Sequence, residues 1–196
     1  MNKAAFYDRD GIIIKMVYDL ENGLIETAKT PSQIEFVYGI VDLLRHTTSL
    51  GYKNIIASNQ AGIGIKKISE ENFNVVKEEM IKRLKAQHTI IDAQYYCFHH
   101  PHAAIPQYRK VCDCRKPKPG LLLQAANDYN IDLSKSWMIG DSVNDVLAGS
   151  AAGCKTILLA NLDESEYLRI LEEKLHGTKP DYLIKKLTEA IKIIKS

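Results

Sequence analysis

Short apolar runs that stop at a polar residue recur along the first 160 positions of this chain. Ala4 to Tyr7 ends at Asp8, Asn54 to Ala57 ends at Ser58, and Ser136 to Ile139 ends at Gly140-Asp141. Runs this short read as strands buried on both faces. Longer stretches of helical periodicity lie between them. Tyr38 to Leu50 predicts a helix stopped by Gly51, and Phe73, Val76, Met80 and Leu84 predict another that starts at Ser69-Glu70-Glu71. Gln94 to Cys97 predicts a strand. A helix follows Pro119-Gly120 to about Tyr129, a short one covers Asp145 to Ala152, and Thr156 to Leu159 predicts a further strand. Such alternation predicts an α/β fold of βαβ units with a parallel sheet. In the last third, Glu166 to Leu175 predicts a helix and Tyr182 to Ile184 an edge strand. Leu187, Ile191 and Ile194 mark one face of a final helix. With no internal repeat or long linker, residues 1–196 read as one domain.

In a parallel sheet of this kind, ligands bind outside the carboxyl ends of the strands. Asp8, Ser58 and Asp141 therefore predict one shared crevice. Composition narrows what that crevice serves. The formal charge is only +2, with Lys and Glu interspersed along the predicted helices, which argues against nucleic acid as a partner. No apolar run approaches the ~20 residues of a membrane helix, and the first residues carry no signal-peptide pattern, so the expectation is a cytoplasmic protein that works away from membranes.

Four motifs carry chemistry. In Phe6-Tyr7-Asp8-Arg9-Asp10-Gly11, one carboxylate can attack phosphorus while a second, protonated, gives its proton to a leaving alcohol. In Ser58-Asn59-Gln60-Ala61-Gly62, a hydroxyl and main-chain N–H groups suit a phosphate-binding turn. Arg115-Lys116-Pro117-Lys118-Pro119-Gly120 offers Lys116 to offset charge on Asp8 and the phosphoryl group, and Arg115 to grip a substrate oxygen. In Gly140-Asp141-Ser142-Val143-Asn144-Asp145, Asp141 completes an oxygen site for Mg2+ with Asp8 and the main-chain carbonyl of Asp10. Asp145, one helical turn on, would orient Lys116 or the water shell. Arg9 and Asn59 are further candidates for binding substrate.

A separate cluster lies between the second and third motifs. Cys97-Phe98-His99 and Cys112-Asp113-Cys114 offer three thiolates and an imidazole, a donor set suited to closed, tetrahedral, structural Zn2+. His99 is the preferred imidazole and His100 the second candidate. Cys154 reads as a small buried hydrophobe. A metal-binding role for three of the four cysteines fits a reducing compartment.

Taken in order, Asp8-x-Asp10, Ser58, Lys116 and Gly140-Asp141 with Asp145 resemble the motifs of the haloacid dehalogenase (HAD) superfamily. Asp10 is the acid that distinguishes its phosphatases. The run from Tyr96 to Pro101 and from Cys112 to Gly120 resembles the D,D-heptose 1,7-bisphosphate phosphatases, relatives of the histidinol-phosphate phosphatases, over roughly residues 4–160. The resemblance implies a Rossmann-like three-layer α/β/α core without a large cap, an aspartyl-phosphate on Asp8, general acid–base catalysis by Asp10, catalytic magnesium and structural zinc. It implies removal of the C7 phosphate of D-glycero-D-manno-heptose 1,7-bisphosphate, in the making of heptose precursors for lipopolysaccharide or related polymers. Alternatives are histidinol phosphate or another small phosphomonoester as substrate, or a non-catalytic domain that binds a partner through the zinc loop. A monomer is expected. The chain departs from the family pattern at Ile12, Ile14 and Ser142, and the Lys15–Thr30 segment, with Tyr18 and Glu21, is where substrate contacts are expected.

Overall fold

Strand β1 (Lys3–Tyr7) lies at the centre of a six-stranded sheet, and the chain leaves it in both directions. It pairs on one side with β4 (Tyr52–Asn59), which pairs with β5 (Ala93–Cys97). On the other side come β6 (Trp137–Gly140), β7 (Lys155–Leu159) and β8 (Tyr182–Ile184). Every pairing is parallel, as the buried apolar runs require. The order β5-β4-β1-β6-β7-β8 makes β1 the point where strand order reverses, the place where sheets of this kind bind ligands at the carboxyl ends of their strands. This computed structural model describes residues 1–20, 23–160 and 172–195.

Both faces of the sheet are covered. Ala5, Tyr7 and Ile56 point into one core with Leu43 and Leu44 of α1 (Ile40–Ser49) and Val76 and Met80 of α2 (Glu70–Ala86). Leu187 and Ala190 of the C-terminal helix (Leu187–Ile193) close that layer. Ala4, Phe6, Ile55 and Ala57, one register step away, face Leu121, Leu122 and Ala125 of α3 (Gly120–Tyr129) on the other side. Val146 of α4 (Val143–Ala152) packs with Leu158 of β7. The result is the three-layer α/β/α arrangement.

Most predicted elements appear with small shifts. The first helix starts at Ile40 rather than Tyr38, because Gly39 takes a left-handed conformation (φ 88°) at its N-cap. Ser69 caps α2 by accepting from the Asn72 N–H, as its start signal predicts. The predicted helix Glu166–Leu175 lies largely outside the described residues, of which 172–175 are helical. One element was absent from the sequence reading. The Lys15–Thr30 segment contains an antiparallel hairpin, β2 (Val17–Asp19) and β3 (Leu24–Glu26), with Glu26 paired to Lys29 and Lys67.

Candidate active site

Asp8 follows the last residue of β1, and its N–H donates to Ile139 of the adjacent strand at 3.0 Å, so the sheet itself fixes its position. Asp141 follows β6 in the same way. It approaches the first loop so closely that a Cβ on Gly11 would lie 1.8 Å from its Oδ2, and Gly11 has φ +81°. Only glycine meets both conditions. Asp8, Asp141 and Asp145 each place a carboxylate oxygen within 4.8 Å of the others.

Lys116 is buried beside these acids. Its ammonium lies 3.2 Å from Asp8 and 2.5 Å from Asp145, and it donates to the Ala57 carbonyl at 2.8 Å. Burial disfavours its charge, but the charges of Asp145 and Asp8 outweigh burial and raise its pKa. Asp145 is also held by Ser142, whose N–H and hydroxyl donate to Oδ2 at 3.1 and 2.6 Å in a capping box for α4. Gly140 makes room, since a Cβ there would meet Asp145 at 2.2 Å.

Burial pushes the Asp8 carboxyl up to about 6; Lys116 and the Ser58 hydroxyl pull it down, while Asp145 and Asp10 oppose them. Asp141 presents its carboxylate to solvent, yet desolvation by the surrounding protein, with repulsion from Asp8 and Asp145, pushes it up to about 7. One lysine does not balance this many acids, and a divalent cation between Asp8 and Asp141 would relieve their repulsion. The all-oxygen donor set suits Mg2+.

Asp10 stands apart from that group. Its carboxylate accepts from the Arg9 guanidinium at 2.9 to 3.2 Å, from the Thr27 hydroxyl at 2.6 Å and from the Gln60 amide at 2.6 Å. The same Gln60 nitrogen reaches Ser58 Oγ at 3.0 Å, so one side chain links the acid to the second motif.

The cysteine–histidine cluster forms at the end of β5. Cys97 Sγ lies 3.6 Å from Cys112 Sγ and 3.2 Å from Cys114 Sγ, and His99 Nδ1 lies 3.2 Å from Cys114 Sγ and 3.7 Å from Cys97 Sγ. A tetrahedral Zn–S4 site has edges of about 3.8 Å, from bonds of about 2.3 Å. The cluster therefore has the size and donors of a zinc site. Burial, with the Lys110 charge, lowers the His99 pKa and favours the neutral imidazole a metal needs. His100 is not part of it; its Nδ1 accepts from the His102 N–H at 3.1 Å. Cys154 is buried, as expected.

The chain is similar to known proteins in sequence and in fold. The model of the HAD-hydrolase-like family matches residues 113–190. The D-glycero-β-D-manno-heptose-1,7-bisphosphate 7-phosphatase of Salmonella typhi is 36% identical over 156 residues, covering 80% of this chain and 79% of that protein. The protein of that name from Pasteurella multocida is 35% identical over 196 residues, covering 100% and 98%. This chain belongs to the heptose-bisphosphate 7-phosphatase family of HAD-like hydrolases. The crystal structure of D,D-heptose 1,7-bisphosphate phosphatase from B. bronchiseptica, complexed with magnesium and phosphate, shares the fold with a TM-score of 0.75. It is 24% identical and is covered over 97% of each chain.

Within this family member, several predicted site residues have partners inside the protein. The sequence reading gives Arg9 and Asn59 to the substrate. Arg9 is instead fully buried, bonded to Asp10 and to Thr27 at 2.5 Å, with its guanidinium 5.2 Å from the Phe73 ring. Asn59 clamps the third motif, donating to the Lys116 carbonyl at 2.9 Å and accepting from the Lys116 N–H at 3.0 Å. Arg115 is half-buried and donates to the His99 carbonyl at 3.3 Å, which ties it to the cysteine loop. Ile12 and Ile14 are fully buried in the core, so these departures are packing choices. Ser142 is the α4 cap. Thr27 and Gln60 were missed by sequence reasoning. Gln60 lies in the second motif, next to Asn59, but nothing local marks Thr27.

Proposed function

We propose that the chain is a magnesium-dependent phosphatase that removes the C7 phosphate of D-glycero-D-manno-heptose 1,7-bisphosphate. The observation that carries the chemistry is the buried Lys116 ammonium between Asp8 and Asp145, beside an oxygen site open at Asp141. The substrate is that of the named relatives, which match this chain at 35–36% identity.

Asp8 attacks phosphorus, and the bond from phosphorus to the C7 oxygen breaks. Asp10 protonates that oxygen as it leaves, and an aspartyl-phosphate remains on Asp8. Asp10 then takes a proton from water, whose oxygen attacks phosphorus. Inorganic phosphate departs, and the Asp8 carboxylate and the Asp10 proton are restored. Ser58 and Lys116 hold phosphoryl oxygens and offset charge, and Arg115 reaches the remainder of the substrate. Mg2+, held by Asp8, Asp141 and the main-chain carbonyl of Asp10, supplies charge neutralisation when bound. Cys97, His99, Cys112 and Cys114 would hold Zn2+, which would pin the loop that presents Arg115 and Lys116. We read residues 1–196 as one domain and a cytoplasmic monomer that needs no nucleic acid or membrane, in keeping with its near-balanced charge.

Phosphate release with Mg2+ tests the reading. The panel holds both anomers of the heptose bisphosphate, fructose 1,6-bisphosphate and histidinol phosphate. Preference for one heptose anomer is expected, with loss of at least about 10⁴-fold in kcat for Asp8→Asn, a scale seen when a covalent nucleophile is removed. Preference for histidinol phosphate moves the substrate but keeps the machinery. Release by Asp8→Asn near the native rate rules out the nucleophile.

A further inference from the structure

The acids lie at the carboxyl ends of the strands. At the opposite end, the first residues of β1, β4, β6, β7 and β8 frame a cavity of about 380 Å³. Its rim is basic. Lys3, Lys135, Lys155 and Lys195 all line it, in a chain whose formal charge is only +2. Lys135 is offset by Asp132 at 3.3 Å, whereas Lys3, Lys155 and Lys195 have no ion-pair partner among the described residues. The nearby Asp181 carboxylate is engaged with the N–H and hydroxyl of Thr156 at 2.7 and 2.9 Å.

The wall is aromatic. The Lys3 ammonium sits 4.3 Å from the Tyr52 ring centroid, and that of Lys155 sits 5.2 Å from the Trp137 ring. Such contacts brace a lysine stem and leave its N–H donors for an anion. The rings are fixed in turn, since Trp137 Nε1 donates to Tyr52 Oη at 3.3 Å, and Tyr52 Oη donates to the Lys195 carbonyl at 3.4 Å. The Tyr182 ring is 5.9 Å from that of Trp137, inclined at 47°, and is 43% exposed.

We propose that this cavity binds a nucleoside phosphate. Lys3, Lys155 and Lys195 take the phosphates as point charges, and Tyr182 offers its face to the base. A purely inorganic anion makes no use of the aromatic wall, and an apolar ligand leaves the lysines unanswered. The volume lies in the range of small-molecule sites, about 300–1,000 Å³.

Trp137 is the sole tryptophan of the chain, so its fluorescence reports on the cavity directly. The full chain is titrated with ADP, pyrophosphate and adenosine in the presence of Mg2+. Saturable change with ADP is expected, at least tenfold tighter than with pyrophosphate or adenosine. The double variant Lys3→Gln/Lys155→Gln, checked for an unaltered melting temperature, is expected to weaken ADP at least tenfold, as is Tyr182→Ala. Asp8→Asn is expected to leave the ADP titration unchanged. Three results overturn the proposal: no saturable change with ADP, pyrophosphate binding as tightly as ADP, or ADP binding that follows Asp8 rather than the lysines.

Discussion

The carboxylate centre and the cysteine–histidine centre are both clusters of metal-ligating side chains, but they are built in opposite ways. Asp8 and Asp141 stand at the ends of neighbouring parts of one sheet, and Asp145 is locked by Ser142 and Lys116. Hydrogen bonds and strand pairing determine that geometry whether or not a cation is present. Its electrostatics are unfavourable, as the raised Asp8 and Asp141 show. The thiolate centre has only Cys97 on a strand. Cys112 and Cys114 come from a long loop, whose regular structure is one turn of 3-10 helix at Pro106–Tyr108. There the cation would hold the fold, whereas at the acids the fold holds the place for the cation.

Removing one ligand from each centre separates these cases. Asp141→Ala is expected to lower kcat/KM by about 10³-fold, on the scale of losing one strong electrostatic stabiliser of the transition state. Its melting temperature should stay level or rise, because a repelling charge is gone. A collapse in melting temperature would show that Asp141 holds the fold. Cys112→Ser is expected to act the other way round. Atomic absorption should find zinc lost, protease should cut first between residues 99 and 112, and activity should fall by about 10–100-fold. The activity loss is indirect, through slackening of Arg115, which bonds to the His99 carbonyl. Full zinc content in Cys112→Ser would break the comparison.

The two centres also differed in how readily the sequence disclosed them. Asp8, Ser58 and Asp141 were legible because each ends an apolar run, and topology sends such ends to one crevice. The cysteines were legible because thiol pairs at short spacing are rare outside metal sites and disulfides. Gln60 and Thr27 are different. Thr27 meets Asp10 across 17 positions and Gln60 meets it across 50, through contacts set by the hairpin and the β4 loop. The hairpin itself escaped notice because Tyr18, Leu20, Leu24 and Ile25 are all exposed, so no apolar–polar alternation marks its strands. Sequence reasoning assigns Arg9 and Asn59 to the substrate, whereas their side chains face inward to Asp10 and Lys116, contacts that no local pattern announces.

The pH response sharpens the electrostatic half of the comparison. The ordinary aspartate value is near 3.8, whereas burial pushes Asp8 and Asp141 up to about 6 and about 7 in the fold. Between those values the folded state holds protons that the unfolded chain has lost. The metal-free protein therefore loses stability from these two groups as pH rises from about 4 to about 7. Mg2+ needs both groups ionised, so its affinity should weaken as pH falls below 7. The rise in melting temperature on adding Mg2+ should be larger at pH 8 than at pH 5.5. An equal rise at both would mean that the cation does not sit between these acids.

The smallest effect concerns Asp10, which no cluster of acids surrounds. Its carboxylate is aimed by Thr27 and Gln60 from two separate loops, and Gln60 also reaches Ser58. Thr27→Val and Gln60→Ala each remove a donor while keeping volume or shortening an inward-facing side chain. Both are expected to lower kcat by about tenfold, a fraction of the ~10²–10⁴-fold that general acid–base catalysis contributes, because the acid itself stays in place. KM should change little, since neither side chain is assigned to the substrate. Gln60→Ala should cost more, because it frees Asp10 and Ser58 together. If KM rises while kcat holds, these residues bind substrate, and the hairpin is a recognition element instead of a brace for the acid.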